Sequence, residues 1–140
     1  MTPEETLRLV EAQLSNMEKA KTMVVKVGLP AEESASSKAY TNDGAGPAPT
    51  VLEVGVWHEY GTQNIPQRSF LRGPLNAKSG ELEKVLEQQF NLVLEKGMEV
   101  EKALGRVGLA ARNISVGAFR TKGYGVWKDI GQATKEAKGS

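Results

Sequence analysis

Residues 50–60 read TVLEVGVWHEY, and apolar residues recur at every second position of this stretch. In an extended chain one face carries Leu52, Val54, Val56, His58 and Tyr60. Alternation of this kind is typical of a half-buried β-strand. The β-branched run TMVVKV at 22–27, which ends at Gly28-Leu29-Pro30, predicts a partner strand. The two segments together predict a small antiparallel sheet.

An N-terminal helix is predicted to cover this sheet. Thr2 can cap the helix, Pro3 suits its first position, and Glu5 completes a capping box. Apolar residues follow at spacings of three and four, namely Leu7, Val10, Leu14 and Met17. The spacing predicts a helix over 3–20 with one buried stripe.

Two long helices are predicted in the C-terminal half of the chain. Ser79 opens the first, with acidic residues in its first turn, and Gly97 either caps or kinks it. Apolar spacing resumes at Val100 and predicts a second helix to about residue 116. The predicted fold class is therefore α+β, in which a small antiparallel sheet packs against the N-terminal helix and the two C-terminal helices.

A long extended loop separates the two predicted strands. Residues 31–50 are rich in Ala, Ser, Gly and Pro, and such a stretch is either disordered or functional. Folded back as a hairpin, the loop would reach roughly 30 Å, far enough to contact a neighbouring subunit. The length of the chain predicts one domain over 1–140, with a flexible arm at 31–50 and a partly mobile C-terminal tail at 118–140.

Composition excludes several classes of protein. Lys and Arg total 18 against 17 Asp and Glu, whereas domains dedicated to nucleic-acid binding carry a strong basic excess. The chain has no Cys and one His, so thiolate catalysis, Cys-ligated metals and multi-histidine sites are excluded. No apolar run is long enough to span a membrane, and the acidic N-terminus does not resemble a signal peptide. We expect a protein without metal or cofactor that does not enter the membrane.

Catalysis is not expected either. His58 and Glu59 are the only adjoining base and acid, and in an extended strand their side chains point to opposite faces. The chain has no Walker loop, dinucleotide-binding glycine motif or nucleophile elbow. The carboxylates of the predicted helix after Ser79 are typical of a solvated face. The sequence therefore predicts that the protein is not an enzyme.

The least ordinary block is the junction that follows the second predicted strand. Two prolines fix its path, Phe70 and Leu71 can anchor it in the core, and Glu59 can pair with Arg68 or Arg72 by a charge-assisted hydrogen bond. This pattern predicts a structural clamp. Its residues are the candidate interface site: His58, Glu59, Tyr60, Gly61, Pro66, Arg68, Phe70, Leu71 and Arg72.

The block HEYGT, a short loop and IPQRSFLR resemble the signature of neck and tail-completion proteins of tailed bacteriophages. That family shows Glu, an aromatic residue and Gly, followed by P-x-R-P-F-L-R-P at the start of a helix. Ser69 replaces the family's proline here, and Gly73-Pro74 shifts the last one. The C-terminal WKDI, with the Thr and Lys-Gly that follow it, resembles a second family segment more weakly. The resemblance covers about residues 50–138 and omits the family's last strand.

The resemblance implies a structural virion protein at the head–tail neck or the head-proximal end of the tail. Such a protein would form a homo-oligomeric ring of six or twelve copies, contact the neighbouring connector, portal-side or tail-tube proteins, and let DNA pass as cargo. It would reside in the host cytoplasm during assembly and then in the virion. The alternative is a DNA-contacting accessory protein of phage assembly that uses Arg68, Arg72 and the basic C-terminal tail, with binding that weakens steeply with salt.

Overall fold

The computed structural model of the protein describes residues 1–30, 32 and 49–129, and these residues form helices joined by loops. The helices are α1 (Pro3–Thr22), α2 (Val51–Tyr60), α3 (Arg72–Ala77), α4 (Ser79–Lys96) and α5 (Val100–Arg120). No strand occurs within the described ranges, so the predicted α+β fold with a small antiparallel sheet is wrong. Within these ranges the fold is all-helical.

The stretch predicted as the second strand is helix α2. Thr50 caps it, because the Thr50 hydroxyl accepts the Glu53 N–H at 3.1 Å while the Glu53 carboxylate accepts the Thr50 N–H at 2.8 Å. This capping box satisfies donors that the first turn leaves open. The alternating positions Leu52, Val56 and Tyr60 are also spaced four apart, so they share one face of a helix as readily as one face of a strand.

The stretch predicted as the first strand has no regular structure. Helix α1 runs to Thr22, and Met23 begins an extended segment with φ −92° and ψ 140°. A strand needs a partner to satisfy its backbone groups. With residues 51–60 helical, no such partner exists in the part of the chain that the structure describes. The segment is therefore an extended connection.

The helices predicted from capping and apolar spacing are confirmed. At α1 the Thr2 hydroxyl accepts the Glu5 N–H at 3.2 Å, and the Glu5 carboxylate accepts the Thr2 N–H at 2.8 Å. Gly97 ends α4 in the left-handed region at φ 68°, which settles its role as a C-terminal cap. Helix α5 continues four residues beyond the predicted end at 116.

The described chain forms two compact units. The first comprises Met1–Val27 and Ala77–Asn113, and its core consists of the buried residues Val93, Val100 and Ala103. Four partly buried residues pack against this core: Ala20, Met23, Met98 and Leu104. Helix α1 contacts α4 here, and the Gln13 side-chain amide donates to the Leu94 carbonyl at 2.6 Å.

The apolar stripe predicted to be buried on α1 is exposed, so that prediction is wrong. Leu7, Val10, Leu14 and Met17 are 44–59% exposed, and no residue of α1 is buried. The half-buried positions of α1 include Gln13 and Asn16, which are polar. Because the hydrogen bond from Gln13 to Leu94 fixes which side of the helix meets α4, the stripe lies on another side.

The second unit comprises residues 28–76 and the chain from 114 onward. Phe70, Ile114 and Ala118 are its buried apolar residues among those described, apart from Pro74. The predicted arm at 31–50 lies almost wholly outside the described residues, as does the 130–140 part of the predicted tail. Among the described helices, none is both long and apolar enough to cross a membrane.

The Glu59 clamp as a candidate assembly site

Helix α2 ends at Gly61 in a conformation that requires glycine. Gly61 has φ 78° and ψ 163°, a combination that side chains essentially exclude. A Cβ at this position would also lie 3.1 Å from the Gln67 backbone nitrogen. The Gly61 N–H donates to the Trp57 carbonyl at 2.8 Å and closes the helix. Glycine therefore turns the chain sharply at the end of α2.

The loop after Gly61 folds back along the last turn of α2. The Thr62 N–H donates to the Ile65 carbonyl at 2.8 Å, and the Arg68 N–H donates to the His58 carbonyl at 2.7 Å. The Gln67 side-chain amide donates to the Glu59 carbonyl at 3.1 Å. Pro66 is exposed on this loop. These bonds bring the SFLR segment, residues 69–72, against the Glu59 side chain.

The Glu59 carboxylate accepts five hydrogen bonds from the SFLR segment. Their donors are the Ser69 hydroxyl at 2.8 Å, the Phe70 N–H at 3.0 Å, the Leu71 N–H at 3.1 Å, the Arg72 N–H at 2.9 Å and the Arg72 Nε at 3.2 Å. The carboxylate therefore satisfies the backbone donors at the start of α3, although it lies a full loop away in sequence. We call this arrangement, Glu59 with residues 69–72, the Glu59 clamp.

The clamp keeps Glu59 ionised despite its burial. The Glu59 side chain is only 7% exposed. Burial is the largest single influence and by itself raises the pKa of this carboxyl. The hydrogen bonds from the Arg72 N–H, the Ser69 hydroxyl and the two other backbone donors together outweigh burial and lower the pKa below its usual value. Buried charge is thus stabilised mainly by hydrogen-bond donors.

The predicted pairing of Glu59 with an arginine is confirmed, and the arginine is Arg72. Its guanidinium also lies over the Tyr60 ring, 4.3 Å from the centroid. Arg68 has a different role, because its Nε and Nη2 atoms donate to the Lys128 carbonyl at 3.3 Å. The two arginines of the motif therefore fasten different segments of the second unit.

The Phe70 side chain anchors the clamp in the core of the second unit. Phe70 is buried, and its carbonyl accepts the Ser115 hydroxyl of α5 at 2.7 Å. The Phe119 ring lies 5.4 Å from the Phe70 ring and 5.4 Å from the Trp127 ring, centroid to centroid. The Trp127 indole N–H donates to the Ser69 carbonyl at 2.9 Å. Three elements therefore converge on residues 69 and 70.

The clamp commits the Glu59 carboxylate to structural hydrogen bonds. Every Glu59 oxygen is engaged by donors, so this carboxylate is not available as a base or nucleophile. His58 and Glu59 are neighbours on a helix. The prediction that they lie on opposite faces of a strand is therefore wrong. Within the described ranges, no group of three or more His, Asp or Glu side chains could hold a metal ion.

An open groove of about 380 Å³ adjoins the clamp in the second unit. Its lining combines aromatic and charged side chains: His58, Arg68, Phe119, Lys122, Trp127, Lys128 and Asp129. Lys122 pairs with Asp129 at 3.3 Å, and Arg68 donates to the Lys128 carbonyl. Much of the positive charge in the groove is therefore already bonded within the chain.

No family model, curated protein or solved structure matches this chain. Function is therefore inferred from the geometry and from the resemblance of the motif.

The structure brings the predicted site residues together, with differences in burial. Glu59 and Phe70 are buried, Leu71 is half-buried, and Tyr60 and Pro66 are exposed. The predicted site omitted Ser115 and Trp127, which both bond to the clamp. Ser115 falls beside the apolar positions of α5, and a polar residue there signals a buried hydrogen bond. The indole N–H of a partly buried tryptophan likewise indicates a hydrogen-bond partner.

Proposed function

We propose that this protein is a structural subunit of a tailed-bacteriophage virion that assembles as a ring at the head–tail neck or the head-proximal end of the tail. It would act without catalysis or cofactor, first in the host cytoplasm and then in the virion. The observation that carries the proposal is the orientation of α1, whose apolar stripe is exposed while polar side chains occupy its half-buried side.

An exposed apolar stripe of this kind is costly for a protein that acts alone. Leu7 and Met17 are ten positions apart, which is about 15 Å along a helix. Contiguous apolar surface is a mark of interaction sites. Helix α2 also buries a charged residue and exposes apolar ones. Glu59 is buried, whereas Leu52, Val56 and Tyr60 are exposed. Two different apolar faces on one chain favour contacts with other subunits.

The clamp supports the same proposal. Among the residues that carry the resemblance to neck proteins, Glu59 bonds directly to Phe70, Leu71 and Arg72. A junction whose buried carboxylate is fully hydrogen-bonded suits a protein that must hold a fixed shape within an assembly. The Glu59 carboxylate, which would otherwise be a candidate general base, is fully hydrogen-bonded within that junction.

The DNA-contacting alternative is less well supported by the geometry. Arg72 is bound to Glu59 and Tyr60, and Arg68 to the Lys128 carbonyl. Each arginine therefore has only part of its guanidinium available for a phosphate. The basic residues beyond 129 lie outside the described residues.

The proposal is tested by measuring the mass of the purified protein across a concentration series by light scattering, with electron microscopy of large species. We expect a closed ring of six or twelve copies at high concentration. A monomer at every concentration, with no higher species after chemical crosslinking, would overturn the proposal. Titration with duplex DNA at low salt tests the alternative, which requires binding that falls steeply as salt rises.

A further inference from the structure

We infer that the apolar stripe of α1 docks on the exposed basic face of α5 of a second copy of this chain. The inference rests on the proposed function, because it names the contact by which identical subunits would join. The two surfaces belong to different helices of the first unit. A contact between two different surfaces is head-to-tail, and repetition of such a contact gives a ring if the rotation closes.

The stripe of α1 has an acidic edge. Glu4, Glu11 and Glu18 are spaced seven apart, and residues at that spacing drift by only about 20° around a helix. Glu11 directly follows Val10 and Glu18 directly follows Met17, and Glu4 lies one heptad before Glu11, so the row runs along one edge of the stripe. All three carboxylates are exposed, and Glu18 pairs only with the exposed Lys21 at 3.0 Å among the ion pairs of the described residues.

The complementary surface lies on α5. Leu109 is 53% exposed there, and the cations Lys102, Arg106 and Arg112 surround it. Arg106 and Arg112 lie three positions from Leu109 and Lys102 lies seven positions from it, so all three share its side of the helix. Between residues 101 and 113 the three cations stand against one carboxylate, Glu101. Arg106 donates one long bond of 3.3 Å to Gln89 and has further donors available.

Gly105 is a second, independent feature of this face. It is exposed one turn before Leu109 in the interior of α5, where glycine is less favourable than alanine. No atom lies within 4 Å of the place where its Cβ would be, so nothing in the described chain requires glycine there. A residue without a side chain lets a second helix approach closely. Docking of another helix on this face explains the glycine.

Charge also decides between a second copy of α1 and α5 as the occupant. An antiparallel pair of α1 stripes would bring the two acidic edges, Glu4 to Glu18, to the same interface, which is unfavourable. The basic face of α5 instead places cations against those carboxylates. The chain thus carries both halves of one complementary contact, and the partner of each copy is the next copy.

Charge reversal tests the pairing directly. The variant Glu11→Lys/Glu18→Lys has a basic stripe edge that meets the basic α5 face of its own kind. The variant Lys102→Glu/Arg112→Glu has an acidic face that meets its own acidic stripe. We expect each variant alone to associate at least tenfold more weakly than the wild type. An equimolar mixture should recover wild-type association. When the two variants alternate, the basic stripe edge of one meets the acidic α5 face of the other, and the acidic stripe edge meets the basic α5 face.

Cysteine crosslinking tests the register of the contact, because the natural chain contains no cysteine. Leu14→Cys and Leu109→Cys protein, mixed and oxidised, should give a disulfide-linked pair. The matched control is Ser15→Cys with Leu109→Cys, since Ser15 is exposed but faces about 100° away from Leu14. Crosslinking of Leu14→Cys with itself, above the level of Ser15→Cys, would overturn the inference in favour of paired α1 helices.

Gly105→Leu adds a steric test with little risk to folding. The open space around Gly105 accommodates the side chain within the chain, so circular dichroism should match that of the wild type. Association should nevertheless fall at least tenfold, because the new side chain would hold the docking helix away. Wild-type association of this variant would contradict close docking on Gly105.

The outcomes separate this inference from the proposed function. If the wild type associates and the variants associate equally well, the α1–α5 contact is overturned and the ring proposal remains intact. Crosslinking between positions 14 and 109 in open filaments would support the contact and overturn the ring. If the wild type does not associate and the cysteine variants do not crosslink, both the α1–α5 contact and the ring proposal are overturned.

Discussion

Glu59 shows at the scale of one residue how a buried charge can be favourable. Burial opposes ionisation, but five donors converge on the two carboxylate oxygens, four of them from residues 70–72. Replacing the carboxylate by an amide of the same size, Glu59→Gln, places an N–H group against those donors. We expect a loss of about 2–4 kcal/mol in the free energy of unfolding, measured by urea denaturation. The control Glu83→Gln, at an exposed carboxylate on α4, should change it by less than about 0.5 kcal/mol.

The lowered pKa of Glu59 also gives the protein a specific acid sensitivity. Because the pKa is lower in the folded state than in the unfolded state, the unfolded chain binds the proton first. The stabilisation is therefore fully present above the unfolded pKa of about 4.3 and is lost as the pH falls through the folded value. Unfolding curves between pH 7 and pH 2 should show a steeper acid loss for the wild type than for Glu59→Gln. If the free energy of unfolding falls equally with pH in the two proteins, the clamp is not the source of the acid sensitivity.

Gly61 is the residue on which the position of the clamp depends. Its backbone lies in a region open essentially only to glycine, and an added Cβ would lie 3.1 Å from the Gln67 backbone nitrogen, a tight contact. Gly61→Ala should lower the free energy of unfolding by about 1–3 kcal/mol, measured by thermal or chemical denaturation. Gly80→Ala on α4, where no atom lies within 4 Å of an added Cβ, is the matched control and should be neutral or slightly stabilising. Equal effects of the two substitutions would show that the turn at Gly61 is not strained for alanine.

At the scale of elements, the sequence predicts helices well where capping and apolar spacing agree. Helix α1 was recognisable because its capping box precedes the spacing, and α4 because Gly97 ends it. The sequence of helix α2 resembles a strand because Leu52, Val54 and Val56 alternate. Its buried residue is the charged Glu59, so burial along this helix does not follow the apolar residues. The Thr50–Glu53 capping box was the overlooked signal. The arginine partner of Glu59 was predictable from charge, but the donation by residues 69–71 depends on a loop path that spacing does not reveal.

The capping box of α2 can be tested by itself. Thr50→Ala removes the hydroxyl that accepts the Glu53 N–H and should cost about 1 kcal/mol in the free energy of unfolding, measured by chemical denaturation. Thr50→Ser keeps an oxygen at the same place and is the matched control. A strand at this position would instead lose stability with both substitutions, because Ser and Ala are both poorer strand residues than Thr. Near-wild-type stability for Thr50→Ser alone would support the cap.

At the scale of the whole molecule, the described chain buries few large apolar side chains. Apart from Pro74, seven apolar residues are buried among those described, and three of them are alanines. Larger apolar residues such as Leu7, Leu14 and Leu109 remain more than half exposed. A core of small side chains contributes little burial free energy per residue. In the proposed ring, contacts between subunits would supply part of the stability of the protein.

Such a contribution makes the unfolding temperature depend on protein concentration. For a ring with one contact per subunit, each tenfold rise in concentration above the dissociation constant adds about 1.4 kcal/mol per subunit. With an unfolding entropy of about 2.1 cal/mol/K per residue, this raises Tm by roughly 4–5 °C. Calorimetry or circular dichroism from micromolar to millimolar concentration measures the slope. The Glu11→Lys/Glu18→Lys variant should show a flat profile at the monomer's Tm. A wild-type Tm that does not change with concentration would mean that the folded monomer is stable without its neighbours, and that its exposed stripe is not covered by another copy.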